Sequence, residues 1–252
     1  MRPVGFRIFS LLIGFILLLP SAEAVYRIGK RATPDDVLKE EDLPQRLEQL
    51  RAGHLFAKGG YSAGGVWAKM EVVIQAPPAL VWKLFTSSND WNSYGVPFLL
   101  DTRAVNRDIA ELVQESDDVQ DVYGAIGTRT FDPYEKRRAG EKWPSYVFQF
   151  VDVKWPLDDR WVISFNKHDE GRASQGIYAM EWEKVAGDVR IYRGEMILRP
   201  FDGNPQMTRL VYVIDIHPGS FVPRFLLKGV VTHSFPDAIH AIRRAARREQ
   251  AR

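Results

Sequence analysis

Four groups of residues in this sequence have types and spacings that could do chemistry. His233, Asp237 and His240 fall at spacings of four and seven, which would bring them to one face of a helix and suit a metal. Pro236 would distort that turn, and polar residues on one face are equally what an amphipathic helix requires, so no metal is expected. His217 ends an apolar run just before Pro218-Gly219, where an imidazole could exchange protons near neutral pH or simply hold a structural hydrogen bond. Asp215, inside LVYVIDIHP, needs a partner or a shifted pKa if it faces a core, and neither if it faces water. Finally VKWPLDDRWVIS, Val153 to Ser164, sets Asp158, Asp159 and Arg160 directly against Trp161, Val162 and Ile163.

Other chemistries are excluded outright. The chain has no cysteine, which removes thiolate nucleophiles and thiolate metal sites. It also has no glycine-rich phosphate loop leading to Lys-Ser/Thr, and no His-Glu-x-x-His.

The elements that must position these residues follow from periodicity. Thr33 to Leu50 reads as helical, with Pro44 dividing it, and Gly59-Gly60 and Gly64-Gly65 read as a flexible turn. Val66 to Ala76 alternates: Val66, Ala68, Met70, Val72 and Ile74 on one face, Lys69, Glu71 and Gln75 on the other. Pro77-Pro78 stops that strand and starts a helix over Ala79 to Thr86. Strands are then expected over Val119 to Tyr123, Thr128 to Tyr134, Ser145 to Val153, Arg160 to Lys167, Gly176 to Lys184, Arg190 to Pro200 and Thr208 to His217. A long amphipathic helix follows Pro223. Such a sheet buries one face by wrapping around that helix, leaving a space where an apolar ligand could sit.

The start of the chain reads as a leader. Arg2 and Arg7 precede the apolar stretch Ile8 to Leu19, and Ala22-Glu23-Ala24 fits a cleavage site, so a signal peptide over 1–24 is expected. The protein is then periplasmic or secreted, and without cysteine its stability rests on its core alone. Removing Arg2, Arg7 and Glu23 with the leader leaves 32 basic and 31 acidic residues, which gives no general attraction to nucleic acid. Arg243, Arg244, Arg247, Arg248 and Arg252 make the end basic, which suits either a helix C-terminus or anionic lipid head groups.

Three stretches resemble one known family, the START-type lipid-binding domains of the helix-grip group, which also holds polyketide cyclases. AKMEVVIQAPPALVWKLFTSSNDW resembles the family's first strand, its turn and the helix leading to a tryptophan. WPLDDRWVIS resembles its Trp-Pro-x-x-x-Arg-Asp lead-in to a central strand, with Trp161 where the family has an Asp. IHPGSFVPRFLLKGVV resembles the Gly-x-x-Pro start of the last helix. The resemblance runs from about Ala68 to Arg247 and implies an α+β helix-grip domain over 66–252, preceded by a helical segment and turn over 25–65. Within it, Pro156 belongs at a strand's mouth, with Arg160 pairing an acid as a structural latch while Trp161, Ile163 and Phe165 run inward.

Aromatic residues are 12% of the chain, and a concave sheet bearing them suits a large apolar ligand. The expected ligand-binding set is Trp82, Phe148, Phe150, Trp161, Phe165, Tyr178, Trp182, Tyr212, Phe221, Phe225 and Leu226. The expected function is binding, with transfer, of a lipid or other hydrophobic small molecule by a monomer that needs no cofactor. Phe221, Val222, Phe225 and Leu226 beside Arg224 and Lys228 suggest transient contact with a membrane surface. The alternative is an enzyme of cyclase or hydrolase type using the same cavity, with His217, Asp215 or a tyrosine as proton donor.

Overall fold

The computed structural model describes residues 44–62, 65–129, 131–152, 159–217 and 224–252, with the side chains of 224–235 left aside. The leader, most of the first helical stretch, the Trp155-Pro156-Asp158 lead-in, Pro218 to Pro223 with Phe221, and the side chains of Phe225, Leu226 and His233 lie outside the described residues. The helices are α1 (Pro44–Arg51), α2 (Pro78–Thr86), α3 (Trp91–Tyr94), α4 (Arg107–Leu112), α5 (Val119–Ile126) and α6 (Arg224–Gln250). The strands are β1 (Leu55–Tyr61), β2 (Val66–Ile74), β3 (Leu99–Val105), β4 (Lys142–Val151), β5 (Arg160–Arg172), β6 (Ile177–Gly187), β7 (Ile191–Phe201) and β8 (Asn204–His217). They form one antiparallel sheet in the order β1-β2-β8-β7-β6-β5-β4-β3. The sheet curves against α6, which is the helix-grip architecture. No described helix is long and apolar enough to cross a membrane.

Two expected strands are absent. Residues 119–126 form α5, because Val119, Val122, Tyr123 and Ile126 recur at helical spacing and the Asp118 carboxylate caps the helix by accepting from the Gln120 amide. Residues 128–134 form no described strand; there the Asp132 carboxylate accepts from the amides of Tyr134 and Glu135, which favours a turn over a ladder. Conversely, Gly59 and Gly60 belong to β1 rather than to a flexible turn. Gly60 stands where a Cβ would lie 2.7 Å from the Trp67 indole nitrogen, so the missing side chain lets that ring lie across the strand.

Both faces of the sheet are covered, and this governs the site. The inner face packs Met70, Ile74, Leu210 and Ile214 against Trp82 and Leu84 of α2 and Ile239, Ile242, Ala245 and Ala246 of α6. The outer face of β4 and β5 carries Phe148, Trp161 and Ile163, buried beneath Ile109 and Ala110 of α4 and Val122 and Ile126 of α5. Over β2 and β7, α1 places Leu50 against Val73 and Phe201.

Glu71, on the polar face of the β2 alternation, is 2% exposed on this outer face. Its carboxylate accepts from the guanidinium groups of Arg46 on α1 and Arg209 on β8. Arg209 is itself 4% exposed, so Glu71→Ala leaves a buried cation without its carboxylate. That change is expected to cost about 3–5 kcal/mol, against about 1 kcal/mol for Arg46→Ala at the half-exposed rim. Urea unfolding of the two variants checks the ranking.

The arginine of the latch does find an acid, on another turn. Arg160 lies 3.6 Å from Asp188 between β6 and β7, and Asp188 also accepts from the Trp161 amide at 3.1 Å. The latch ties the start of β5 to its neighbour.

Candidate functional site

The cavity is built where β3 to β8 face α2, the 3₁₀ turn Ser88–Asp90 and α3. Its volume is about 60 Å³. That is room for the head of a ligand, well short of the ~300–1,000 Å³ of pockets that enclose whole drug-sized molecules. Any larger molecule would have to displace side chains or part of the helical cover to enter.

One wall is aromatic and apolar: Phe85, Trp91, Met180, Trp182, Tyr192 and Tyr212. Trp182 and Tyr212 lie with ring centroids 4.9 Å apart, and Phe85 meets Trp91 edge-on at 5.6 Å. Trp182 reaches across β7 because position 194 is glycine; a Cβ there would stand 2.3 Å from its ring. Burial pushes the phenols of Tyr192 and Tyr212 well above their ordinary pKa, so both stay protonated donors. Tyr192 donates to Gln149 Oε1 at 2.7 Å.

The other wall is a row of uncharged polar groups. Ser164, Asn166 and His168 point inward from every second position of β5, joined by Gln149 of β4 and Thr102 of β3, with the apolar Val147 of β4 beside them. They form a chain: Ser164 Oγ donates to Asn166 Oδ1 at 3.1 Å, Asn166 Nδ2 donates to Ser145 Oγ at 3.3 Å, and Ser145 Oγ lies 2.8 Å from His168 Nε2. His168 stacks on Trp143 at 3.6 Å and meets the edge of Trp82 at 5.6 Å. It is 3% exposed, and burial pushes its pKa down to about 3, so the imidazole is neutral near pH 7.

Below this row lies Glu170, 2% exposed. Its Oε1 accepts from the Trp82 indole (2.7 Å), the Trp143 indole (3.1 Å) and Arg137 (2.8 Å), and Oε2 accepts from the Gly140 amide (3.1 Å). These bonds hold the floor tryptophans in place. A second, open cleft of about 420 Å³ lies at the end of α6, between Tyr94, Arg244, Arg247, Arg248 and Ala251.

Of the residues expected to bind ligand, Trp182 and Tyr212 line the cavity. Trp82 and Tyr178 stack on each other in the core that supports it. Phe148, Phe150, Trp161 and Phe165 do not reach it. They have the opposite parity on β4 and β5, where Phe148, Phe150 and Trp161 pack with α4 and α5 and Phe165 packs on Tyr146. Phe221 and the side chains of Phe225 and Leu226 lie outside the described residues.

Asp215 is also on the outer face, 1% exposed, accepting from Ser62 Oγ at 2.8 Å and from Arg193. Its partners settle the question its apolar surroundings raised. His217 shares that parity and does not line the cavity. Asp237 and His240 are exposed on α6, and among the described residues no three His, Asp or Glu gather as a metal site. Ser164, Asn166, His168, Gln149 and Thr102 were missed, although the period-two polar row in SFNKHDE was a readable signal.

No family model matches the sequence, and no curated protein matches it either. Solved structures do. A STAR-related lipid transfer protein from Xanthomonas axonopodis superposes over 77% of this chain and 93% of its own, with TM-score 0.54 at 14% identity. Human STARD10 covers 82% of this chain and 80% of its own, with TM-score 0.51 at 10% identity. Human StAR-related lipid transfer protein 5 covers 86% and 96%, with TM-score 0.50 at 9% identity. The chain therefore has the START-type helix-grip fold, with a cavity held between sheet and helices.

Proposed function

We propose that this protein binds a hydrophobic small molecule, such as a lipid, between its sheet and helices and carries it through the aqueous periplasm. The cavity carries the reading: an aromatic wall that hides apolar surface from water faces groups that can orient one polar end. Export rests on the leader sequence, and the START-type fold of lipid transfer proteins supports the rest. The test is native mass spectrometry of the full chain as purified, followed by organic extraction. A removable hydrophobic adduct is expected; a chain repeatedly free of adduct that also takes up no added hydrophobic probe would overturn the reading.

The 2.8 Å approach of Ser145 to His168 favours a second reading, an enzyme of cyclase or hydrolase type. The pair lacks what such chemistry needs. Among the described residues His168 Nδ1 has no partner to orient it, and an imidazole neutral down to about pH 3 is a weak base at neutral pH. Binding is the stronger reading.

A transfer protein must also meet membranes. Arg244, Arg247 and Arg248 are exposed around the cleft at the end of α6, and no carboxylate pairs with Arg247 or Arg248 among the described residues. Each such cation near an anionic surface is worth about 1 kcal/mol. Arg247→Glu with Arg248→Glu is expected to weaken binding to phosphatidylserine vesicles at least about tenfold at low salt, and to leave phosphatidylcholine vesicles unaffected. Vesicle co-sedimentation measures both.

A further inference from the structure

Where α3 meets the last turns of α6, cations gather on one helix face. Arg244, Arg247 and Arg248 stand at i, i+3 and i+4, so their side chains are neighbours along a single stripe. Ala251 continues it one turn on, its amide donating to the Arg247 carbonyl at 3.2 Å. Val96, just past α3, packs on Ala238 and Ala241 and so sets Tyr94 beside the stripe. These residues line the open cleft of about 420 Å³.

Every polar side chain lining that cleft can donate. Arg244 gives one N–H to the Gly95 carbonyl at 3.3 Å, and no carboxylate pairs with Arg244, Arg247 or Arg248 among the described residues. Burial, with Asp90 and Glu249 nearby, pushes the Tyr94 phenol well above its ordinary pKa, so it stays protonated. Its hydroxyl has no hydrogen-bond partner among the described residues. Of the two carboxylates near it, Glu249 is already held by Arg252 at 2.7 Å. The four guanidinium groups of Arg244, Arg247, Arg248 and Arg252 against these two carboxylates leave a surplus of two positive charges.

The helix macrodipole accounts for Arg247 and Arg248 in the last turn. It does not call for Arg244 a turn earlier, or for an unpartnered phenol in the same cleft. The surplus and the ring of donors match a phosphate monoester, which carries about −1.5 to −2 charges near pH 7 and three terminal acceptor oxygens. Guanidinium forks take phosphate oxygens in pairs, which leaves an oxygen for the phenol. Phosphodiesters and carboxylates bring a single charge and fewer terminal oxygens.

Deepening the membrane contact proposed above, and resting on it, we infer that this cleft takes the phosphate monoester of a membrane lipid in preference to phosphodiester and carboxylate head groups. The arginines meet the charge and Tyr94 supplies the contact that tells one phosphate from another.

The experiment sediments the full chain with phosphatidylcholine vesicles containing either phosphatidate or phosphatidylglycerol, at fractions that give both surfaces the same zeta potential. Phosphatidate vesicles are expected to bind at least about tenfold more tightly. Tyr94→Phe keeps the packed ring and the charge and removes one donor. It should weaken phosphatidate binding about threefold to tenfold and leave phosphatidylglycerol binding unchanged, a split that surface charge alone does not produce. Arg248→Gln should weaken both. The two variants should melt with the wild type, since one changed group is unpartnered and the other exposed. Glycerol 3-phosphate, followed by calorimetry, is expected to bind at least about tenfold more weakly than phosphatidate in vesicles, because it meets the cleft one molecule at a time. Equal affinity would assign the cleft to a soluble ester and overturn the lipid assignment. Unchanged binding in Arg248→Gln would place the contact elsewhere and overturn the site. Equal binding to the two vesicles, or the same loss on both in Tyr94→Phe, overturns the preference and leaves membrane contact standing. Failure to bind any anionic vesicle overturns both.

Discussion

Between about pH 7 and about pH 4 the protein is expected to lose about 3 kcal/mol of stability through His168 alone. In the unfolded chain this imidazole titrates near its ordinary value of 6.5, whereas burial against Trp143 and Trp82 pushes it down to about 3 in the fold. Between those values the unfolded state binds a proton that the folded state refuses, so stability rises with pH and falls on acidification. Above about 6.5 both states are neutral and the effect vanishes. His168→Phe keeps a ring between the two tryptophans and removes the titration. Urea unfolding at several pH values should show the wild type losing stability from just above pH 6 downward, with the variant nearly flat until the carboxylates titrate. Parallel curves for the two proteins would refute the assignment.

Glu170→Gln is expected to destabilise the fold by about 3–5 kcal/mol, or roughly 10 °C in melting temperature for a domain of this size. An amide keeps one acceptor but turns a donor toward the Gly140 amide or toward the indoles and Arg137, all of which are donors. Arg137, 20% exposed, would also lose its counter-charge. The pH window differs from that of His168. Burial raises the carboxyl pKa, but the bonds from Trp82, Gly140, Arg137 and Trp143 outweigh it and hold the pKa below the ordinary 4.5. Its contribution is therefore fully present above about 4.5 and is lost as pH falls through the lower folded value. The variant should lack that acid limb and show red-shifted tryptophan emission as the floor of the cavity loosens. A melting temperature within about 2 °C of the wild type would rule out this role.

The cavity and its floor thus depend on few groups, and their legibility in the sequence was uneven. Chain order and periodicity were plain. The alternation of Val66 to Ile74, the stop at Pro77-Pro78 and the final helix each follow from local rules, and with the quoted motifs they led to the helix-grip fold. β1 and β3 escaped because glycines interrupt the first, while Asp101, Thr102 and Arg103 break the apolar pattern of the second. α5 was misread because a short apolar run fits either period until its capping residue is weighed.

Which side of a strand faces the cavity was settled only by the tertiary structure. A sheet with one wet face announces its core by hydrophobicity, but here α4 and α5 cover the outside while α2 and α6 cover the inside. Both parities are therefore buried, and the more apolar one is not the one that lines the cavity. Phe148, Trp161 and Ile163 drive burial under the outer helices, which leaves Ser164, Asn166 and His168 facing the cavity. The sequence by itself determined the alternation of β2, the helix that the sheet grips and the absence of cysteine chemistry. Long-range packing decided which row became the wall of the cavity, because a period of two tells which residues share a face and says nothing of what lies against it.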